Sequence, residues 1–385
     1  MKSFNYYQPT EILFGQGRVS ELGDLTAKYG KRCLLVTSSG RSGLLSTYSK
    51  AIDNLKQAGV ETLHFDEVIP NPTTDTIRKG AKMAIEFDAD VIVGFGGGSS
   101  MDAAKAIAVE ATHEGSCWDY LFYKNEPTEK TLPVIAVSTS SGTGSQVTQV
   151  SVVTNEAEKD KSALYHPLIF PKACIIDPEL MVSLPKNQTA FTGFDAFCHA
   201  FESILNPGSG AYVDDLARKA IEIVATNLPV VLDNPANIEA RSQMAWADTL
   251  AGLCIASAGV TLPHGMGMAI GGLYPHVAHG EALAIVYPAC MKFTWESAVA
   301  QFAAIGRIFS KELINAIDKE AAYQSCGVIN GFIEKIGISK KLHQVNVPEN
   351  EVIKLAKQSM VLPDYKNNPR VASEEEMIAL VRSSY

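Results

Sequence analysis

Asp195 and His199 stand four residues apart in the run Phe194-Asp195-Ala196-Phe197-Cys198-His199-Ala200-Phe201-Glu202. On a helix that spacing puts a carboxylate and an imidazole on one face, where both can grip one cation. A surface or capping pair has the same spacing, so the neighbours decide. Phe194, Phe197, Ala200 and Phe201 make this a largely buried helix, and a buried carboxylate must be paired or bound to a metal. Farther along, His264, His276 and His279 lie among glycines and apolar residues, three of the chain's eight histidines within one short region. A single histidine there would read as a satisfied core residue. Added to a buried Asp–His pair, the three suggest one carboxylate with two or three imidazoles, a donor set for Fe(II) or Zn(II) rather than Ca(II) or Mg(II).

A second kind of chemistry is suggested by Asp90-Val-Ile-Val-Gly94-Phe-Gly96-Gly97-Gly98-Ser99-Ser100-Met-Asp102, which runs from an apolar strand through glycines into a helical pattern. Glycines let the backbone turn tightly against a ligand, and the free N–H groups of the following helix suit a pyrophosphate. The run departs from the G-x-G-x-x-G fingerprint, and a simple strand–helix turn capped by Ser99 or Ser100 has the same composition. Ser138-Thr139-Ser140-Ser141-Gly142-Thr143-Gly144-Ser145 is a second hydroxyl- and glycine-rich loop after an apolar strand. Two such loops after two strands of one sheet favour a dinucleotide over two ordinary turns. At the end of an earlier strand, Val36-Thr37-Ser38-Ser39-Gly40-Arg41 offers hydroxyls and one cation but no carboxylate. An acidic residue at that place bonds ribose hydroxyls and repels a 2′-phosphate; Ser38 and Arg41 therefore point toward NADP(H) over NAD(H), through charge-assisted bonds.

The elements that must position these groups fall into two styles. Strand patterns at Cys33–Thr37, Val60–Val68, Asp90–Phe95, Leu132–Ser138 and Lys172–Ile176 alternate with helical patterns at 44–58, Thr74–Phe87 and Ser100–Ala111. Such alternation implies a mostly parallel sheet covered on both faces. After about Leu184 the pattern is helical throughout, as in Tyr212–Ala225, Ile238–Ala258 and Ala298–Phe309. The predicted fold is thus α/β plus all-α: a Rossmann-like dinucleotide-binding domain over 1–184 and a helical metal-binding domain over 185–385, packed with a cleft at the strands' carboxyl ends. Its 385 residues fit two domains, and 46% hydrophobic with 19% charged residues is a globular mix. A net charge of −9 argues against nucleic acid, and no apolar run reaches the roughly 20 residues of a membrane span. Seven cysteines without paired spacing read as reduced thiols in a cytoplasmic protein.

These residues resemble the iron-dependent (group III) alcohol dehydrogenase family along nearly the whole chain. The resemblance runs through Pro9 and Phe14-Gly15-Gln16-Gly17, Pro70-Asn71-Pro72-Thr73, Gly96-Gly97-Gly98-Ser99 with Asp102, and Asp177-Pro178-Glu179-Leu180. Its most specific parts are Gly193-Phe194-Asp195-Ala196 with His199 and Glu202, and the His-Gly pairs at 264–265 and 279–280. The resemblance implies metal-ligand roles for Asp195, His199, His264 and His279. It implies cofactor contacts for Asn71, Gly97, Gly98, Ser99, Thr139, Ser140, Thr148, Lys161 and Leu180, and a homodimer or larger homo-oligomer. Three departures stand out. Many members carry a histidine four residues after the third ligand, discussed as a proton relay, where this chain has Met268. The stretch from His264 to His279 is one residue longer than usual and contains His276, which could replace the missing relay or compete with His279. Several NAD-preferring members carry an aspartate where this chain has Ser38.

The expected function is a metal-dependent alcohol dehydrogenase or aldehyde reductase moving hydride between a small alcohol or aldehyde and NAD(P), with Fe2+ or Zn2+ as the ion. Rival readings are a dehydroquinate-synthase-like lyase, a maleylacetate-reductase-like enzyme and a nucleotide-binding regulator with a dead site. The first two need Lys or Arg for anionic substrates, and none occurs in 195–202 or 264–281.

Overall fold

The computed structural model describes residues 2–39 and 44–385, with Phe122 and Tyr123 as backbone only. Arg41, read above as a phosphate partner, lies outside the described residues. The chain divides into two compact units, Gln8–Leu184 and Pro185–Tyr385, the latter joined by the N-terminal residues up to Tyr7. The sequence alone had grouped that N-terminal segment with the α/β part. Ring packing draws it to the helices instead: Tyr6 lies 4.6 Å and Phe4 6.3 Å from the Tyr212 ring.

The α/β unit contains β1 (Glu11–Phe14), α1 (Leu22–Ala27), β2 (Arg32–Ser38), α2 (Leu45–Gln57), β3 (Glu61–Val68), α3 (Thr74–Phe87), β4 (Val91–Gly96), α4 (Gly98–Glu110), β5 (Val134–Ser138), β6 (Val150–Asn155), β7 (Asp160–Tyr165) and β8 (Ala173–Ile176). Six strands form one parallel sheet in the order β1-β8-β5-β4-β2-β3. Every residue of β4 and β5 is buried, as expected of strands covered on both faces. The chain moves outward from β2 to β3, then returns to place β4 on the other side of β2. This reversal is the kind of switch point at which parallel α/β sheets bind ligands.

The antiparallel pair β6–β7 had no counterpart among the strands expected from the sequence. Its Ser, Thr and Lys content resembles a loop, and its pairing with itself supplies the missing order. It also carries Lys161 to Asn71, with Nζ donating to Oδ1 at 2.8 Å, and Asn71 itself has a left-handed backbone (φ 55°).

The two loops foreseen as phosphate or ribose contacts meet at adjacent strand ends. Gly96 pairs with Ser138 in register, and the Thr139 N–H donates to the Gly96 carbonyl at 3.0 Å. A side chain at Gly98 would place its Cβ 2.6 Å from Thr143 Cγ2, so only glycine lets the loops close on one another. Beneath them α4 is almost wholly buried, and its single cation explains how the second loop is held. Lys105, 0% exposed, donates from Nζ to the Ser145 carbonyl (2.7 Å), Ser145 Oγ (2.9 Å), the Thr148 carbonyl (2.9 Å) and the Val150 carbonyl (2.7 Å). Ser145 Oγ in turn donates to Asp102 Oδ1 at 2.6 Å, and Asp102 Oδ2 accepts from the Val152 N–H at 3.1 Å. Burial pushes the Lys105 ammonium down to about 8, with Asp102 pulling the other way. The Lys105 bonds, with the Ser145–Asp102 bond beside them, tie 145–152 to α4.

The helical unit contains α5 (Lys186–Leu205), α6 (Ala211–Asp233), α7 (Ile238–Ala258), α8 (Leu262–Leu273), α9 (His279–Thr294), α10 (Val299–Phe309), α11 (Asp318–Lys335), α12 (Val352–Gln358) and α13 (Glu374–Ser383). A core of Phe194, Phe197, Phe201, Phe302 and Tyr287 joins α5, α9 and α10. A second core joins α8, α9, α12 and α13. Among the described residues no single helix is long and apolar enough to cross a membrane.

Removing the Lys105 ammonium leaves several buried acceptors without a donor, at a cost of about 1–3 kcal/mol for each unsatisfied group. Lys105→Met is expected to destabilise the α/β unit by about 3 kcal/mol, read from denaturant unfolding. A loss below about 1 kcal/mol would show that solvent or a rearranged loop replaces the ammonium.

Candidate metal centre

Helix α5 presents Asp195, His199 and Glu202 on one buried face; α8 presents His264, and α9 begins at His279. These elements converge on one oxygen. Asp195 Oδ1 lies 3.7 Å from His199 Nε2, 3.6 Å from His264 Nε2 and 3.8 Å from His279 Nε2. The separations are too long for hydrogen bonds. Asp195 Oδ1 and His264 Nε2 are buried and have no hydrogen-bond partner among the described residues. Around one four-coordinate ion with ligand bonds of about 2.1 Å, donor atoms stand roughly 3.4 Å apart. The donor atoms of Asp195, His199 and His264 all lie within 4.8 Å of one another and fit a divalent transition-metal ion, with His279 beside them, 3.8 Å from Asp195.

The electrostatics point the same way. Burial by itself raises the Asp195 carboxyl, yet the imidazoles of His199, His279 and His264 outweigh it and hold the group at about 2. Burial likewise lowers His264, but Glu202 and Asp195 lift it to about 10. With protons as the only cations, the cluster favours one on His264. A divalent ion satisfies the same demand with the imidazoles neutral. Glu202, fully buried, places Oε1 2.8 Å from His264 Nδ1 and accepts from the Thr261 N–H at 2.9 Å through Oε2.

Close helix contact is built into the site. A Cβ at Gly280 would stand 2.2 Å from the Phe191 carbonyl oxygen, so the first turn of α9 lies directly against the backbone of α5. That contact holds His279 opposite Asp195.

His276 is not part of the cluster. It is exposed, and its Nε2 lies 2.9 Å from the Val345 carbonyl, which can only accept; that nitrogen therefore carries a proton and is spent on the backbone. The relay or ligand role expected for His276 is corrected accordingly: this side chain turns outward to the Val345 carbonyl. Met268, one turn beyond His264 on α8, is buried and cannot exchange protons. Of the residues matched to cofactor contacts, Gly97, Gly98, Ser99, Thr139 and Ser140 gather at the ends of β4 and β5. Asn71 and Lys161 are bonded to each other, and Ser38 ends β2. Thr148 and Leu180 are buried, and the Thr148 carbonyl is a Lys105 acceptor. Lys105 was missed by reading the sequence, although a lone lysine within Ala103–Val109 is a visible signal. Lys340 was missed too; its Nζ donates to Glu281 Oε1 at 2.6 Å.

Comparison with known proteins decides the family. The family model described as iron-containing alcohol dehydrogenase matches residues 9–178, and that of the C-terminal domain of the Fe-containing alcohol dehydrogenase family matches 189–385. The chain belongs to the iron-containing alcohol dehydrogenase family. It is 35% identical over 381 residues to a choline dehydrogenase of Bacillus subtilis (strain 168), covering 97% of this chain and 94% of that one. It is 32% identical over 386 residues to a 1,3-propanediol dehydrogenase of Klebsiella pneumoniae, covering 100% and 99%. Among solved structures, an archaeal halo-thermophilic alcohol dehydrogenase from a Red Sea brine pool superposes with a TM-score of 0.95 at 35% identity, over 100% of both chains. As a member of this family the protein is an alcohol dehydrogenase, an oxidoreductase that interconverts alcohols and carbonyl compounds, built from a parallel-sheet domain and a helical domain.

The Gly280 contact gives a direct test. Gly280→Ala is expected to destabilise the helical unit by about 1–3 kcal/mol, the usual cost of overpacking, and to displace His279. Denaturant unfolding and a structure of the variant check this, and an unchanged His279–Asp195 distance would count against it.

Proposed function

We propose that Asp195, His199, His264 and His279 hold a catalytic Fe2+, with Zn2+ fitting the same donors, and that the enzyme interconverts a small primary alcohol and its aldehyde using NAD(P). The single observation that carries this reading is the Asp195 oxygen ringed by three imidazole nitrogens at 3.6–3.8 Å. When bound, the ion supplies Lewis acidity toward the alcohol or carbonyl oxygen, and the nicotinamide supplies or accepts the hydride. The chain's own residues do the rest. The N-terminus of α4 and the Gly97–Ser99 turn offer N–H groups to the pyrophosphate, and Thr139 and Ser140 add hydroxyls. Asn71 and Lys161 form a polar clasp for the ribose. With Met268 inert and His276 turned to Val345, proton exchange falls to water entering beside His279, whose side chain at 24% exposure is the most open of the four.

The relatives support the substrate class, since their names refer to choline, 1,3-propanediol, methanol and butanol. Two of them carry NAD or NADH in those names. A preference for NADP(H) in this chain rests on its own residues. Ser38 closes β2 without a carboxylate, Tyr48 OH stands 3.4 Å from its Oγ, and Thr37 Oγ1 is 2.9 Å from His64 Nε2. A lyase reading of the dehydroquinate-synthase type finds no support in this family, and an anionic substrate of the maleylacetate type is disfavoured because 195–202 and 264–281 contain no Lys or Arg. The same reading takes the enzyme as a cytoplasmic homodimer or larger homo-oligomer, in keeping with the family resemblance and seven free cysteines.

Metal analysis of protein purified without chelator, with NADH and NADPH oxidation against an aldehyde panel, tests the whole reading. Asp195→Ala and His264→Ala are each expected to abolish turnover and to lose the metal while NAD(P)H still binds, because ligands and phosphate loops belong to different units. Full activity with full metal occupancy in either variant would remove the centre of the proposal. For the cofactor, Ser38→Asp is expected to move the ratio of kcat/KM values toward NAD(H). If the ratio stays put, Ser38 does not face the ribose.

A further inference from the structure

Glu202 is bonded to the His264 ring of the cluster, and its partners are unevenly matched. Oε1 lies 2.8 Å from His264 Nδ1; Oε2 accepts from the Thr261 N–H (2.9 Å), the His264 N–H (3.3 Å) and Thr261 Oγ1 (3.3 Å). Both backbone groups are the orphan donors at the start of α8 and can only donate. Oε2 is therefore an acceptor; with Glu202 ionised Oε1 is one too, and the proton between Oε1 and the ring sits on Nδ1. In the neutral ring that leaves the Nε2 lone pair of His264 directed at the cluster, 3.6 Å from Asp195 Oδ1.

We propose that Glu202 is a positioning residue that locks His264 in its Nδ1–H tautomer while capping the helix that carries it. One side chain thus sets both where the imidazole stands and which nitrogen is free to ligate. The inference rests on the reading of Asp195, His199, His264 and His279 as metal ligands. An amide of the same shape cannot do this work, because it has only one acceptor oxygen. If the oxygen faces the two backbone N–H groups, the NH2 faces Nδ1, the ring proton moves to Nε2, and the lone pair is lost to the ion. If the oxygen faces Nδ1 instead, the NH2 points at two backbone donors, and α8 loses its cap. Either orientation breaks one half of the arrangement without changing volume.

The test is Glu202→Gln, with metal retention measured by chelator competition on the purified metalloprotein and NADPH binding measured alongside. The expected result is a 10–100-fold loss of metal affinity with NADPH binding intact. Metal affinity within threefold of the parent would overturn the lock. A parent that holds no metal would instead sink the reading of the four ligands. Nitrogen-15 spectra of histidine-labelled parent protein decide the matter even if the variant fails to fold. A His264 ring with its proton on Nδ1 supports the lock, and one with its proton on Nε2 overturns it.

Discussion

The carboxylate of Asp195 is a negative charge that 3% exposure almost removes from water, and the helical unit is organised around compensating it. A buried charge without partners is strongly disfavoured, so three imidazoles from three helices must face one oxygen. That requirement fixes the packing of α5, α8 and α9 more tightly than apolar burial would. The aromatic core can tolerate small rearrangements, but a ring of donor atoms cannot. Gly280 and Glu202 show how this precision is reached: one lets backbone meet backbone, and the other ties a ring nitrogen and a helix terminus to the same carboxylate.

The α/β unit answers a similar problem with the opposite sign. Lys105 is a cation enclosed by oxygen acceptors, and its bonds to 145, 148 and 150, with the Ser145–Asp102 bond, hold that segment over α4. Both units therefore use a buried charge as an internal tie: an ammonium where a loop must be held still, a carboxylate where an ion is to be received. The difference lies in the partners. Backbone carbonyls satisfy Lys105 completely, whereas the imidazoles around Asp195 stand beyond hydrogen-bond distance and leave its demand open to a cation.

Several parts of this arrangement were legible in the sequence for local reasons. Asp195 and His199 share a face because helical geometry links positions four apart, and the parallel sheet follows from strict alternation of strand and helix. The glycine-rich turn reads as a phosphate loop because only glycine permits the approach seen at Gly98. The β6–β7 hairpin was not legible, since its polar strands gain their order from pairing with each other rather than from an apolar pattern.

The donor types, the helix that carries two of them, the family resemblance and the lack of a carboxylate at the end of β2 are all local features of the chain. Which distant histidines join Asp195 is settled by packing. His276 and His279 are three residues apart with the same chemistry, yet one starts a helix facing the carboxylate and the other turns to the Val345 carbonyl. Their fates depend on where α9 docks against α5, a contact between residues 191 and 280 that no local pattern encodes. The bond from Glu202 to His264 spans 62 positions for the same reason. Side-chain periodicity reports which face is buried, and it takes packing between helices to say what that face meets.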